Sequence, residues 1–298
     1  MPQISANGLT FAYDERGEGE PLLLVMGLGT QMIAWREAFM DQLVELGFRV
    51  IRFDNRDVGL SSRIDADPPD RRAVIGQLVL GRRPDAAYLL ADMADDAAGL
   101  LDALDIDSAH IVGASMGGMI TQQLAIDHPK RVRSICSIMS NTGDRRNGRI
   151  APALLLKGRK LLKARPETAV EDAVAVMRLI SGPHFDEAEV RVFSEESVER
   201  AYDPAGQARQ TAAIAASPDR TEALAHVRSP ALVIHGMADP LVRFSGGVAT
   251  ARAVPGARML AFPDMAHDLP RPRWGEMTAA IAANAARAAV PVAASAAH

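Results

Sequence analysis

Short apolar runs alternate with stretches of helical periodicity along most of this 298-residue chain. Leu22–Met26 is continuously apolar, the mark of a strand buried on both faces, and Phe48–Phe53, Ala109–Val112 and Val132–Met139 read as further strands. Between them, Trp35, Phe39, Leu43 and Leu46 recur along one helix face until Gly47 stops it, and Ala91–Leu104 and Met116–Asp127 also read as helices. The rhythm returns with strands at Ala231–His235 and Arg258–Phe262 and ends in an Ala-rich helix. Strand and helix in alternation, joined by short connections, predict an α/β fold: a doubly wound, mostly parallel sheet with helices on both faces. Asn7-Gly8, set between Gln3–Ala6 and Leu9–Tyr13, predicts an opening hairpin.

From about Asn141 to Asp219 the alternation stops. This segment carries only helical periodicity, broken at Pro166, Gly182-Pro183 and Pro204. It reads as a helical insertion over the sheet. The expected organisation is a core of residues 1–140 and 220–290, a helical lid of residues 141–219, and a flexible tail of residues 291–298. No repeat of 20 to 50 residues is present.

With 33 basic against 37 acidic residues, the formal net charge is −4. No surplus of positive charge exists to neutralise a phosphate backbone, which argues against nucleic acid as a partner. No apolar run approaches the roughly 20 residues of a membrane helix. The start, Met1 to Gly8, lacks a basic segment followed by an apolar one, so neither an anchor nor a secretory signal is expected. The single cysteine, Cys136, can form neither an internal disulfide nor a multi-thiolate metal site, and a cytoplasmic location is the default. Inside an apolar strand and without an adjacent His, it reads as buried and inert.

Gly113-Ala114-Ser115-Met116-Gly117 stands where a strand runs into a helix. Glycines two before and two after the serine permit a strained turn that lifts the hydroxyl clear of the backbone. The pentapeptide alone is a weak sign in a chain with 23 glycines; its strand-to-helix context supplies the specificity. A serine hydroxyl becomes a nucleophile only when a base takes its proton, so a histidine and an orienting carboxylate are also required.

Of the seven histidines, His110, His128, His226 and His298 suit structural or solvent-exposed roles. His184 lies in the helical insertion, and His235 ends a buried strand, where a structural role fits. His267 follows the last predicted strand, at the edge where open α/β sheets place their ligands. Its partner is expected on the loop after the preceding strand, Gly236-Met237-Ala238-Asp239-Pro240, giving the chain order Ser115, Asp239, His267. Asp264 and Asp268 are the alternatives, although carboxylates that close along one loop seldom aim at the ring nitrogen.

Attack on a carbonyl also needs two backbone N–H groups for the developing oxyanion. Met116 supplies one. Leu28, in Met26-Gly27-Leu28-Gly29, supplies the other, against the reading of that segment as an ordinary Gly-rich turn. Met26, Gly27, Gly29, Met237 and Met265 are expected to contact substrate, because methionines 26, 32, 116, 119, 237 and 265 fall on or beside the loops that converge on Ser115. Core filling is the competing reading for any single Met. Arg52, Arg56, Arg63 and Arg82-Arg83 read as solvated charge. The expected partner is a small-molecule ester, with no cofactor and no metal required; the oligomeric state is not legible.

These residues resemble the α/β-hydrolase family from about Leu9 to Ala285. Phe53-Asp54-Asn55-Arg56-Asp57-Val58-Gly59-Leu60-Ser61 is similar to the family's Asp-x-Arg-Gly-x-Gly-x-Ser loop, and His128-Pro129-Lys130-Arg131-Val132 to the stretch after its nucleophile helix. Two departures stand out: Met26-Gly27 replaces the common His-Gly, and Arg56-Asp57 the common Arg-Gly, with a carboxylate expected near the rim. Together they look like the aclacinomycin methylesterase type of hydrolase. Haloalkane dehalogenases and epoxide hydrolases carry Asp at the nucleophile position. The resemblance implies hydrolysis of a carboxylic ester, a methyl ester among the candidates. A lactonase, a cofactor-free perhydrolase or haloperoxidase, or a receptor on a hydrolase scaffold would hold the same three side chains.

Overall fold

The computed structural model describes residues 1–70, 73–74, 76–77, 80, 82–154 and 166–289. Because Leu22, Leu23, Leu24 and Val25 are all fully buried, β3 (Glu20–Val25) takes a central place in the sheet. On one side it pairs with β4 (Phe48–Phe53), on the other with β5 (Ala109–Ala114). Among the described residues, eight strands run in the order β1-β2-β4-β3-β5-β6-β7-β8, where β1 is Gln3–Ala6, β2 Leu9–Arg16, β6 Val132–Ile138, β7 Ala231–Gly236 and β8 Arg258–Phe262. Pairing from β4 across to β8 is parallel, while β1 and β2 add antiparallel strands at one edge. The expected doubly wound, mostly parallel sheet is therefore the observed one.

Successive strand side chains point to opposite faces, which divides the core in two. Leu23, Val25, Ile51, Phe53 and Ile111 pack with α2 (Leu90–Ala103) and α3 (Met116–Asp127), through Leu100, Leu101, Ile120 and Leu124. Leu22, Leu24, Val50 and Val112 pack with α1 (Glu37–Glu45) and, late in the chain, the helix Trp274–Ala285, through Phe39, Leu43, Met277 and Ile281. Each fully buried side chain of this size contributes about 1.5–3 kcal/mol through burial.

The helical segment divides into two parts of different attachment. Helices α4 (Ala169–Ile180) and α5 (Glu187–Arg200) pack against each other as a hairpin. By contrast α6 (Pro204–Ala216) is stitched to the core: Ala213 is fully buried in the first cluster, and Arg209 and Gln210 bond to the loop after β4. A short α7 (Thr221–Leu224), then α8 (Ser245–Ala253) and α9 (Trp274–Ala285), complete the order. The expected tail, residues 291–298, lies outside the described residues. Among the described residues, no helix is long and apolar enough to cross a membrane.

Candidate active site

Four loops that leave the carboxyl ends of β3, β5, β7 and β8 form the site. Ser115 directly follows β5 and holds φ 56°, ψ −118°, a conformation that costs an L-residue about 1–3 kcal/mol. Neighbouring bonds enforce it: its N–H donates to the Ile138 carbonyl at 2.9 Å, and its carbonyl accepts from Gly118 at 3.0 Å. A Cβ on Gly113 would stand 2.1 Å from the Gly117 oxygen, and one on Gly117 only 2.0 Å from the Val25 oxygen. Both glycines are required by contact, and the turn delivers the hydroxyl to the edge of the sheet.

The His267 ring lies between two partners. Its Nε2 is 3.0 Å from Ser115 Oγ and its Nδ1 is 2.8 Å from Asp239 Oδ2. A carboxylate can only accept, so Nδ1 carries the proton and Nε2 is left to receive the one on the serine. Asp239 Oδ1 is occupied by the amides of Leu241 at 2.8 Å and Val242 at 2.9 Å, which aims the other oxygen at the imidazole. The His267 amide donates to the Ile180 carbonyl at the end of α4, at 2.9 Å.

Beside this line sits a second histidine. His235 is fully buried, its Nε2 donates to the Val242 carbonyl at 2.8 Å, and it lies 3.6 Å from Asp239 Oδ2. Burial pushes its pKa down, so the ring stays neutral and does not compete as a cation for Asp239. The two alternative carboxylates are committed elsewhere. Hydrogen bonds from Arg273 and His184 hold the Asp264 carboxyl well below the usual range, while Asp268 accepts from Ala266 at 3.0 Å and Gly182 at 3.2 Å and is pushed up by burial.

Gly27 packs against Ser115, since a Cβ there would lie 3.2 Å from Ser115 Cβ. The chain then turns through Leu28 and Gly29, with Gly29 at φ 62° and Thr30 N–H donating to the Gly27 oxygen at 3.3 Å. Neither the Leu28 nor the Met116 amide has a hydrogen-bond acceptor among the described residues, whereas the Gly29 amide is taken by Gln210 at 2.8 Å. Met116 opens α3, where unpaired amides and the helix dipole favour negative charge.

The sequence pattern of the alpha/beta hydrolase fold matches residues 20–270. The chain belongs to that family of hydrolases. It is 28% identical over 295 residues to the rhodomycin D methylesterase DauP of Streptomyces sp. (strain C5), spanning 91% of this chain and 92% of that protein. It is 27% identical over 261 residues to the putative carbamate hydrolase RutD of Azorhizobium caulinodans, spanning 87% and 88% respectively. The solved enol-lactonase from Burkholderia xenovorans LB400 matches at a TM-score of 0.72 and 25% identity, over 95% of this chain and 99% of that one.

In this α/β-hydrolase two of the methionines expected to contact substrate turn inward. Met265 is fully buried among Phe39, Trp274 and Met277, and Met26 belongs to the same cluster, so both thioethers fill the core. Met26 still shapes the site through its carbonyl, which accepts from Asn55 Nδ2 at 2.9 Å. Met237 is 54% exposed. A residue two places from the buried Asp239 faces out because that loop turns back to donate to the Phe262 carbonyl.

The reading of Arg52 and Arg56 as solvated charge is also overturned. Arg52 is buried with Asp14 and the Trp35 carbonyl, and Arg56 grips Asp96 with two bonds of 2.5 and 2.7 Å. Asp57 is not a rim carboxylate: it is buried, accepting Arg209 at 2.7 and 2.9 Å and the Tyr88 hydroxyl at 2.7 Å. Arg63, paired with Asp203, and Arg82 and Arg83 are exposed, as that reading expects. Cys136 is buried, which pushes its thiol pKa up. Among the described residues no group of three or more His, Cys, Asp or Glu side chains could hold a metal ion.

Proposed function

We propose that this hydrolase cleaves a carboxylic ester of a small apolar molecule, with a methyl ester among its substrates, through an acyl-enzyme on Ser115. The observation that carries the reading is the continuous hydrogen-bonded line from Ser115 through His267 to Asp239. In the first half, His267 Nε2 takes the hydroxyl proton as the serine oxygen attacks the ester carbonyl. The amides of Leu28 and Met116 hold the oxyanion, and the imidazolium returns its proton to the departing alcohol. Water repeats the sequence and releases the acid. Asp239 keeps the imidazole in the required tautomer throughout.

The kinship with a methylesterase supports an open-chain ester, and the likeness to an enol-lactonase supports a cyclic one, which the same groups would open. The hairpin of α4 and α5 serves in this reading as a lid over the site, tied to the catalytic loop where His267 bonds Ile180. No cofactor is needed, and neither nucleic acid nor a membrane is a partner of a protein working in the cytoplasm.

A rapid-mix experiment with p-nitrophenyl esters of rising acyl length tests the reading. One equivalent of p-nitrophenolate is expected in a burst before steady turnover, with kcat/KM rising with acyl length and falling for charged acids. Strictly peroxide-dependent turnover would contradict it, as would activity confined to lactones.

A further inference from the structure

The loop that carries the Leu28 amide is held by a side chain that no sequence motif marks. Helix α6 is pressed onto the loop after β4 so closely that a Cβ on Gly206 would stand 2.2 Å from the Asp57 carbonyl oxygen. Arg209 fixes that approach through its two bonds to buried Asp57. The next residue, Gln210, is fully buried. Its Oε1 accepts the Gly29 amide at 2.8 Å, and its Nε2 donates to the Arg56 carbonyl at 2.7 Å. Only one orientation of the carboxamide serves both partners, because an N–H can only donate and a carbonyl can only accept.

One side chain thus ties the loop after β3 to the loop after β4. The Gly27–Thr30 turn needs such a tie: its own closing bond is long at 3.3 Å, and Gly29 sits at φ 62° beneath Gln207, whose Cγ would meet a Cβ there at 2.8 Å. An oxyanion donor works only when it lies about 2.7–3.1 Å from where the charged oxygen forms. We infer that Gln210 is a positioning residue that aims the Leu28 amide at the oxyanion by clamping the adjacent Gly29. The inference rests on the ester-hydrolase reading above. Gln210 acts through the loop and touches no reacting atom.

The experiment compares an ester with its thionoester, in which the C=O oxygen is replaced by sulfur. Sulfur accepts hydrogen bonds weakly, so its turnover draws little from oxyanion donors. Gln210→Met keeps the volume and removes both bonds. Its kcat on the p-nitrophenyl ester is expected to fall about 10–100-fold with little change in KM, while its kcat on the thionoester falls less than about threefold. A smaller folded fraction would lower both rates equally, so the oxo-to-thiono ratio isolates positioning. Gln210→Asn, one methylene shorter, reaches only one partner and is expected to give an intermediate ratio; it serves also if the Met variant does not fold. Equal losses on both substrates, or an unchanged ratio in folded protein, overturns the inference. Undiminished turnover of both substrates by Ser115→Ala would instead overturn the Ser115 acyl-enzyme reading beneath it.

Discussion

Ser115→Ala is expected to lower kcat on a p-nitrophenyl ester by on the order of 10⁶, and Asp239→Asn by about 10⁴. The double variant should be no slower than Ser115→Ala alone. The reason is geometric. Asp239 presents one oxygen to the Leu241 and Val242 amides and the other to His267 Nδ1. An Asn that keeps its oxygen on those amides turns an N–H toward the ring. The imidazole then carries its proton on Nε2, 3.0 Å from Ser115 Oγ, and can no longer accept. Once the serine is gone the base has nothing to deprotonate, so the orienting carboxylate loses its effect. Steady-state kinetics on protein matched for folded content by circular dichroism checks this; strictly multiplicative losses would show that the three side chains do not act as a unit.

Asp57→Ala is expected to cost about 3–5 kcal/mol of stability in urea unfolding, because it strips the buried Arg209 of its close counter-ion and leaves only Asp203 at 4.0 Å. Four donors converge on that carboxylate: two from Arg209, the Tyr88 hydroxyl, and the Ile64 amide at 2.8 Å. Burial and the Asp57 charge both raise the Tyr88 pKa, so its hydroxyl remains a donor. Replacing both partners, as Asp57→Leu with Arg209→Met, should recover part of the loss, since no charge is then stranded. Arg63→Ala is the contrast. Its pair with Asp203 has the arginine side chain 56% exposed, and its removal should change stability by less than about 1 kcal/mol. Equal costs at the two places would contradict the distinction between buried and surface charge.

What is legible in the sequence follows from local pattern. The apolar runs of β3, β5, β6 and β7 announce burial on both faces, and the structure buries them. Ser115, Asp239 and His267 can be picked out because each follows a strand and parallel strands deliver their ends to one edge. What is not legible depends on what covers a residue. Arg209 and Asp57 are 152 positions apart, and Arg56 and Asp96 are 40 apart, so nothing near Arg56 or Asp57 in sequence shows the partner that makes an expected solvated charge and an expected rim carboxylate into buried pairs. Helix α6 has the same periodicity as the helices of the neighbouring hairpin, and nothing local shows that Gln210 faces the loops of the sheet. Met265 stands two residues from His267, yet a thioether beside a dry cluster of Phe39, Trp274 and Met277 goes inward.

The account depends on Ser115 alone being reactive among the chain's hydroxyls. Incubation with a fluorophosphonate, followed by proteolysis and mass mapping of peptides, tests this most directly. The account predicts one adduct per chain, on the peptide containing Ser115, with loss of activity in step with labelling and no adduct on His267→Ala protein. A label on any other residue, or active protein that takes no label, would contradict it.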